Sequence, residues 1–576
     1  MGNTAKNKSI VFTSILVLLL TVACVHLPDG TSNITATAQA DDVSYAGSYY
    51  HYSLGTLFAL SGDTDRAINE YKKTLNHDFT SSFLRIELAR LYIKKRDFPK
   101  AVAVLEKSVE YNPDDFDTRV LLGGIYGNLK EFDKAIQEYR QAIRINPDTL
   151  EPYLFTSMFH REMKRYDEAI AALDELIARD PGNLMGHYSL AKTYEEMEQY
   201  DEAERAFKRV IEIKASHEPA ILELGHLYEF RDKDEEALEL YRDFLARYPS
   251  SNNTRFKLGK ALFKLKRYSE AIDEFQAILD SGDTHIESYY SLGISLFFEG
   301  KDYNRAVEEL TNVLRKQPDN HKARYFLASS YEKLDRRSDA YDEFGKIDED
   351  SDLYSTARMQ MGLILKDDGY LDEAIDLIRD AVEKKGDDEA LYIFLISLYE
   401  EKGQLDQALD MATRAVFLLP KSIDLRYKLG IVYEKLDRYE ESIAEMEKVL
   451  EFDPDYAEAL NFIGYSYADR EIRLDEAEAM IKRAMELKPD NGYITDSLGW
   501  LYFRKNQLDK AIMYLEKALQ LAPEDPTIHE HLGDAYEKAG RTEEALELYR
   551  KALELDQGND TLRKKINALS NPDAGE

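Results

Sequence analysis

Apolar side chains recur at helical spacing along most of the chain, and the whole pattern returns about every 34 residues from about Ser48 onward. In one unit Leu122 and Tyr126 lie one helical turn apart, and in a later unit Leu498 and Tyr502 repeat this spacing. Residues four apart share one face of a helix. Each unit therefore begins with a predicted first helix that buries one stripe.

A second apolar stripe follows in each unit and predicts a second helix packed against the first. The residues of this stripe alternate between small and bulky side chains. They are Ala135, Tyr139 and Ala142 in the early unit and Ala511, Leu515 and Ala518 in the later one. Gly123 and Gly499 leave room where the two helices approach each other. Asp133 and Asp509 open the second helices, where a carboxylate complements free N–H groups, and Pro147 and Pro523 close the units.

About fifteen such units follow one another in phase. A Leu-Gly, Leu-Ala or similar pair marks most first helices, for example Leu54-Gly55, Leu190-Ala191, Leu258-Gly259, Met361-Gly362 and Leu532-Gly533. The pattern resembles the tetratricopeptide repeat over nearly the whole chain. The resemblance implies an all-α, right-handed α-solenoid superhelix of helical hairpins, which we place at residues 48–558. We expect residues 559–576 to form a capping helix and a tail.

Several units depart from the pattern. Thr156-Ser157 replaces the usual pair in the fourth unit, and Ser442 stands at an alanine place in the twelfth. One extra residue occurs near Gly300 to Asn304 and another near Asp469 to Leu474. Residues 348–353 lie in an acidic stretch without a closing proline, so we predict a flexion point of the array there.

The first 23 residues have the pattern of a targeting segment. Lys6 and Lys8 precede an apolar run from Ile10 to Val22, which is too short to span a bilayer comfortably. The run ends at Cys24, the single cysteine of the chain. Thr21-Val22-Ala23-Cys24 resembles a bacterial lipobox, which implies lipidation of Cys24 after removal of residues 1–23. An uncleaved membrane anchor is the alternative.

The lipobox resemblance also implies where the protein is sorted. In lipoproteins of Gram-negative bacteria an Asp after the cysteine favours the inner membrane, and here that residue is Val25. We therefore expect an outer-membrane lipoprotein that faces the periplasm. Residues 24–47 are rich in Thr, Ala, Ser and Asp and predict a flexible tether.

Composition narrows the classes of partner. The formal net charge is −34, and such a surface repels the phosphates of nucleic acid. This charge has two possible roles: it keeps the protein soluble, or it gives the protein a preference for basic partners. One cysteine cannot form an intramolecular disulfide or a zinc-cysteine cluster.

No pattern of catalytic or metal-binding residues stands out, so we expect neither an enzyme nor a cofactor. His529 and His531 are two residues apart and point to different sides of a helix. The segment Asp348 to Asp352 opens like a calcium loop, but Leu353 and Met359 occupy the places of the required Gly and Glu.

We number the places of each unit so that the Gly or Ala of the pair in its first helix is the eighth. The tetratricopeptide resemblance implies that the first helices line a groove and that places two, five, nine, twelve and thirteen of each unit face a partner. These groove places hold two candidate patches for binding a protein or peptide. The first consists of Phe230, Phe256, Phe263, Tyr290, Ile294, Phe297 and Phe298, and the second of Tyr465, Tyr493, Trp500 and Phe503. The sixth places lack Asn in the units compared, for example Ser189, Glu223 and Ser497, which argues against a clamp for a C-terminal carboxylate.

Two functions remain open at this point. The first is a lipid-anchored scaffold that binds proteins during assembly of a pilus, a secretion system or another envelope complex. The second is an accessory lipoprotein of exopolysaccharide export, because aromatic faces also stack on sugars.

Overall fold

A computed structural model describes residues 42–282 and 285–570, with side chains from residue 47 onward. The chain divides into two compact units, Met1–Asp283 and Thr284–Glu576. The described residues fold into helices joined by short turns, so the all-α solenoid prediction is confirmed. Cys24, the predicted signal peptide and most of the predicted tether lie outside the described residues.

The first unit contains seven helical hairpins. Odd-numbered helices are the first helices of the hairpins and even-numbered helices are the second ones. They are α1 Asp42–Leu60, α2 Thr64–His77, α3 Ser82–Lys94, α4 Phe98–Tyr111, α5 Phe116–Asn128, α6 Phe132–Ile145, α7 Glu151–Glu162, α8 Tyr166–Arg179, α9 Leu184–Glu196, α10 Tyr200–Ile213, α11 Glu218–Phe230, α12 Asp234–Arg247, α13 Asn252–Lys264 and α14 Tyr268–Asp280.

The second unit contains eight hairpins and one final helix. They are α15 Ile286–Glu299, α16 Tyr303–Lys316, α17 His321–Lys333, α18 Arg337–Gly345, α19 Tyr354–Asp367, α20 Leu371–Lys384, α21 Glu389–Glu401, α22 Leu405–Leu418, α23 Ile423–Lys435, α24 Tyr439–Phe452, α25 Ala457–Asp469, α26 Leu474–Leu487, α27 Gly492–Arg504, α28 Leu508–Leu521, α29 Pro526–Lys538, α30 Thr542–Leu555 and α31 Asp560–Ser570. The described residues thus hold fifteen hairpins, as the repeat count predicts.

The boundaries of the array differ slightly from the prediction. Helix α1 begins at Asp42, before the predicted start at residue 48. Helix α31 coincides with the predicted capping segment, and Leu562 buries its side chain fully against the last hairpin. Capping of the solenoid by this helix stays a prediction.

The core lies between the two helices of each hairpin and between neighbouring hairpins. The residues that the repeat pattern assigns to the buried stripes, such as Leu122, Tyr139, Leu498 and Leu515, are almost inaccessible to solvent. The eighth place of the first helix, where the pattern has Gly or Ala, faces the second helix closely. A Cβ on Gly225 would come within 2.2 Å of the Tyr241 hydroxyl.

Three departures from the pattern can be followed in the structure. The Ser442 side chain is buried and donates a hydrogen bond of 2.8 Å to the Gly430 carbonyl, so a hydroxyl is satisfied where alanine is usual. The extra residue near Gly300 lengthens helix α15, which ends at Glu299 and is followed by Gly300 in the left-handed conformation. The extra residue near Asp469 lengthens the α25–α26 turn, where Glu471 and Arg473 both have positive φ.

The predicted flexion segment, residues 348–353, lies inside the second unit, and the division into two units falls instead between Asp283 and Thr284. Helix α18 is short, and the chain after it is held in place. Ile347 is fully buried, and the Arg358 guanidinium donates to the carbonyls of Phe344, Gly345 and Ile347. Flexion at this segment stays a prediction.

Candidate functional site

Each unit has a concave side formed by its first helices. Among the described helices, the pairs two apart in the chain that pack closely are all pairs of first helices: α3–α5, α7–α9, α11–α13, α15–α17, α19–α21, α21–α23, α25–α27 and α27–α29. Since neighbouring second helices stand farther apart, the surface curves around the first helices. The groove that the repeat pattern implies is therefore present within each unit.

The first candidate patch is divided between the two units. Its part in the first unit consists of Phe230, Phe256 and Phe263. Phe230 is 62% exposed, and its ring lies 5.3 Å from that of Tyr200. Phe256 is partly buried against Phe275, and Lys260 lies over its ring. Phe263 is also partly buried, with its ring 5.3 Å from that of Tyr268.

The part of this patch in the second unit is a cluster of aromatic rings. Phe297 and Phe298 contact each other edge to face, and both contact Phe326 of the next first helix at 5.4 and 5.7 Å. Phe298 is 45% exposed, whereas Tyr290, Ile294 and Phe297 are partly buried. Phe326 occupies a sixth place, so the list of groove places missed it.

The second patch is built around Trp500, which is buried rather than projecting into solvent. The indole is 7% exposed and donates a hydrogen bond of 3.2 Å from Nε1 to Asp469. Its ring stacks on Phe503 at 4.9 Å and on His531 of helix α29 at 4.0 Å. Trp500 therefore forms the wall of the groove.

The two tyrosines of the second patch differ in their surroundings. Tyr493 is 61% exposed. Tyr465 is partly buried, and its ring lies 6.3 Å from that of His531. Burial raises the pKa of the Tyr465 hydroxyl, and the negative charges of Asp469, Asp496 and Glu434 raise it further. The structure thus joins Tyr465 to Trp500 through His531, joins Phe503 to Trp500 directly, places carboxylates around them, and sets Tyr493 apart.

His531 and Asp496 form a buried pair that connects two neighbouring first helices. The His531 Nδ1 atom lies 3.0 Å from a carboxylate oxygen of Asp496, and both residues are almost fully buried. Burial by itself lowers the imidazole pKa, but the Asp496 carboxylate outweighs this effect and holds the pKa above its usual value.

Sequence reasoning passed over this pair because it considered the two histidines only as a chelating set. His529 does turn elsewhere, with Nδ1 2.8 Å from the Asp525 carbonyl. The sequence did contain a signal for this pair. An acid, Asp496, stands at the fifth place of one first helix, and a histidine, His531, stands at the sixth place of the next first helix.

Two kinds of feature are absent from the described residues. They contain no cluster of three or more His, Cys, Asp or Glu side chains suited to a metal ion. None of the described helices combines the length and the apolar character needed to cross a bilayer.

Comparison with protein families gives a consistent match. Models of the tetratricopeptide repeat match residues 86–148, 222–285, 290–350 and 497–560, and further models of the same repeat match residues 160–224 and 423–456. Together these matches cover more than half of the chain.

Individual relatives share parts of the array. The TPR repeat-containing protein PA4667 of Pseudomonas aeruginosa is 31% identical over 174 residues, which are 29% of this chain and 28% of that protein. Superkiller complex protein 3 of Mus musculus is 22% identical over 269 residues, 40% of this chain and 17% of that protein. The chain thus spans less than a third of either relative.

Solved structures with similar helices include the APC/C hetero-tetramer Cut9-Hcn1, at 15% identity and a TM-score of 0.35, covering 85% of this chain and 97% of that one. Another is YrrB, described as a TPR protein with an unusual peptide-binding site. The match has 21% identity and a TM-score of 0.27, and it covers 30% of this chain and 88% of the YrrB chain. Because these TM-scores are low, the assignment rests on the repeat models and on the hairpins themselves. With fifteen hairpins, small residues at the eighth places and matches over most of the array, this chain belongs to the tetratricopeptide repeat family.

Proposed function

We propose that this protein is a non-catalytic, lipid-anchored scaffold of the bacterial envelope that holds polypeptide partners in the groove of its first helices. Tetratricopeptide repeat proteins are in general protein-interaction scaffolds. The observation that carries the proposal for this chain is the exposure of large aromatic side chains at groove places. Phe230, Phe298 and Tyr493 are each about half exposed or more.

Exposed aromatic rings on a concave surface favour partner binding because their burial supplies much of the free energy of association. Tyr and Phe are enriched at the centres of protein interfaces, and few residues there contribute most of the affinity. In this chain such rings stand beside charged groups, as Phe256 does beside Lys260. A mixed surface of this kind suits a polypeptide, which offers both apolar and charged side chains.

The proposed anchor rests on the sequence before the array. Cys24 follows an apolar run and a small residue, as in lipoproteins. A thioether-linked lipid with further acyl chains would hold the protein at the membrane, since each buried methylene contributes about 0.8 kcal/mol. The array would then extend from the membrane surface into the periplasm.

The scaffold proposal is tested by capturing partners with groove variants of the full chain. Tyr493→Ala and Phe298→Ala each remove a groove ring, and Phe417→Ala is the matched control, because Phe417 is 83% exposed but lies on the second helix α22. We expect at least one groove variant to recover about 10-fold less of a partner. Equal recovery by the groove variants and the wild type would contradict a groove-bound partner.

The anchor is tested by labelling growing cells with a radioactive fatty acid. The wild-type chain should incorporate the label, and Cys24→Ser should not. Val25→Asp should keep the label but move the protein from outer-membrane to inner-membrane fractions. Label that persists in Cys24→Ser would disprove lipidation at this residue.

The export alternative loses one candidate for sugar binding. Sugar stacking needs an open aromatic face, and Trp500 has little left because His531 and Phe503 stack on its ring. Phe230, Phe298 and Tyr493 keep exposed rings that a sugar or a peptide can contact. If the groove serves polypeptides, soluble oligosaccharides should not displace a captured protein partner; displacement would favour the export role.

A further inference from the structure

The first helix of the array, α1, has an exposed side without charged residues. From Val43 to Gly62 the sequence contains no Asp, Glu, Lys or Arg, although these residues make up 32% of the whole chain. At about 100° per residue, the exposed residues among the described side chains of α1 lie within an arc of roughly 100°. They are Tyr49, Tyr50, Ser53, Leu57 and Leu60. We call this uncharged surface the α1 face.

Two residues of the α1 face stand at places that are buried in the rest of the array. Tyr50 is at the third place of its first helix and is 63% exposed, and Leu57 is at the tenth place and is 60% exposed. In every later first helix the residues at both places are buried. The exposure of these two side chains is therefore a property of the first hairpin and not of the repeat.

Contacts at the third place show what covers it in later hairpins. In the third hairpin, Oγ1 of Thr118 lies 3.2 Å from Oγ of Ser108, on the second helix of the preceding hairpin. In the fifth hairpin, a Cβ on Gly186 would come within 2.6 Å of Leu176, again on the preceding second helix. The described residues begin with α1, so no described hairpin covers the α1 face. This face is thus an inter-hairpin surface that is open to another occupant.

The opposite side of α1 packs closely on α2. Gly55 faces the second helix so closely that a Cβ there would come within 2.6 Å of the Tyr71 ring. Oγ1 of Thr56 lies 3.2 Å from the Tyr71 hydroxyl, and the Tyr52 ring lies 6.0 Å from that of Tyr71. These contacts fix the orientation of α1, so its exposed side chains form one preformed surface.

The proposed lipid anchor places a membrane near this surface. Residues 25–41 separate Cys24 from the start of α1 at Asp42. A flexible chain of this length spans about 20–25 Å on average and at most about 60 Å when it is extended. Because α1 follows the predicted tether directly, a lipid on Cys24 would hold the α1 face beside the bilayer at a high effective concentration.

The composition of the α1 face suits a lipid surface better than a second copy of the chain. Tyrosine places an apolar ring with a polar tip at the level of the headgroups, and leucine enters the boundary of the acyl chains. An uncharged face approaches a bilayer without desolvating ionic groups. A second copy would instead bring together two chains that each carry a net charge of −34.

We propose that the α1 face binds the surface of the membrane that carries the lipid anchor, with Tyr50 and Leu57 inserted at the level of the headgroups. This inference rests on the proposed function and adds a second membrane contact directly after the tether. The bilayer takes the place that a preceding hairpin has in the rest of the array. The contact would set the orientation of the first hairpin relative to the membrane.

The test attaches a polarity-sensitive fluorophore to the full chain at an introduced cysteine. Ser53→Cys places the label on the α1 face. Asn69→Cys is the matched control, because Asn69 is exposed on α2 of the same hairpin, and the corresponding residues of the next two hairpins, Ala103 and Gln137, are exposed as well. The parent chain, treated with the same reagent, measures any label on Cys24, its single cysteine.

The labelled chains are purified in detergent and reconstituted into phosphatidylcholine vesicles with or without spin-labelled acyl chains. We expect the label at Ser53→Cys to emit at shorter wavelength in vesicles and to lose emission to the spin labels, whereas the label at Asn69→Cys should do neither. Combining Tyr50→Ser and Leu57→Ser with Ser53→Cys should abolish most of this quenching, because the apolar surface that enters the bilayer is removed.

Phe417→Ser, combined with Ser53→Cys, is the control for loss of an apolar side chain. It removes an 83% exposed ring from a second helix of the other unit and should leave the quenching unchanged. The substituted side chains of the α1 face are all exposed, so the first hairpin should remain folded, and circular dichroism checks each variant.

Three results would overturn the inference: no quenching at Ser53→Cys, equal quenching at Ser53→Cys and Asn69→Cys, or unchanged quenching after Tyr50→Ser and Leu57→Ser. Energy transfer between labels on different copies, without quenching by lipid, would show that a second copy covers the α1 face and would also overturn it. If Cys24 incorporates a fatty acid but no quenching occurs, this inference alone fails. If Cys24 incorporates none while quenching at Ser53→Cys persists, the lipid anchor of the proposed function fails instead.

Discussion

At the eighth place of the first helices, the space for a side chain is set by the residue that faces it from the second helix. A Cβ on Gly499 would lie 2.6 Å from Cγ of Leu515 and 3.0 Å from its backbone nitrogen, whereas a Cβ on Gly430 would first meet the Met446 methyl group, at 2.7 Å. A backbone atom cannot move away, but the end of a methionine side chain can.

We therefore expect Gly499→Ala to destabilise the fourteenth hairpin by about 1–3 kcal/mol through overpacking, even though alanine favours a helix. Gly430→Ala should be nearly neutral, because repacking of Met446 is offset by a helix-propensity gain of up to about 1 kcal/mol. Hydrogen exchange of helices α23–α24 and α27–α28 measures both effects. An equal loss of protection in the two variants would contradict the steric account.

His531 titrates beside the only tryptophan of the chain, so its protonation can be observed directly. The groups that face it are Asp496 and Trp500 of α27, Tyr465 of α25, Glu530 and Asp534 of its own helix, and Lys565 of α31, which pairs with those two acids. Since the folded pKa is raised, the protonated form stabilises the fold. This contribution is complete below the unfolded pKa of about 6.5 and is lost as the pH rises through the folded pKa.

A protonated imidazole quenches indole fluorescence, so Trp500 emission should increase as the pH rises and His531 loses its proton. The midpoint of this transition should lie above pH about 6.5, the ordinary pKa of histidine. His531→Gln should abolish this transition, and Asp496→Asn should shift its midpoint downward, because the charge that raises the pKa is removed. A midpoint below the ordinary value in the wild type would show that burial outweighs the carboxylate.

The groove residues show what a sequence predicts at this scale. The repeat register assigns Trp500 to a groove place, but the exposure of its ring depends on His531, which lies on the next first helix. The register gives the direction of a side chain, whereas its burial depends on the size and polarity of neighbours in the adjacent hairpins. For the same reason the unpaired amide oxygen of Asn461 and the contacts of the Phe326 ring with Phe297 and Phe298 could not be predicted.

At the scale of helices, the sequence predicted most of the array because each boundary has a local cause. A left-handed residue follows the first helix in each described hairpin, for example Lys130, Lys266 and Gly300, and the extra residue near Asp469 adds a second one, Arg473, after Glu471. The short helix α18 was not predicted in detail. The acidic segment after this helix, which lacks a closing proline, indicated an irregularity there. The segment is held by hydrogen bonds from Arg358 to three carbonyls, and such tertiary contacts cannot be read from the repeat pattern.

Helix α31 should stabilise the last hairpin, because Leu562 is fully buried and Lys565 bridges Glu530 and Asp534 of α29. Leu562→Ala should destabilise α29 and α30 by about 2–4 kcal/mol. The loss should be visible as faster hydrogen exchange there, with little change in the distant helices α15 and α16. Lys564→Ala is the control, since Lys564 is exposed. Unchanged exchange in Leu562→Ala would show that α31 is not a cap.

At the scale of the whole molecule, repetition explains why the fold could be predicted and the partner could not. Each hairpin contacts mainly its neighbours, so the same buried places serve every repeat and are recognisable many times. The groove places are free to vary: the seventh hairpin has Lys260 and Lys264 there, whereas the fifteenth has Glu530, Asp534 and Glu537. Only contacts and charges within the fold show which of these surfaces are already occupied.

The most direct test of the central claim, that partners bind the groove of the first helices, is site-specific photo-crosslinking in living cells. Benzoylphenylalanine replaces Tyr493 in the groove or, separately, Phe417 on a second helix, two sites where the native ring is well exposed. The account predicts a discrete crosslinked partner from position 493 and none from position 417. The same partner from both positions, or a partner from position 417 alone, would contradict it.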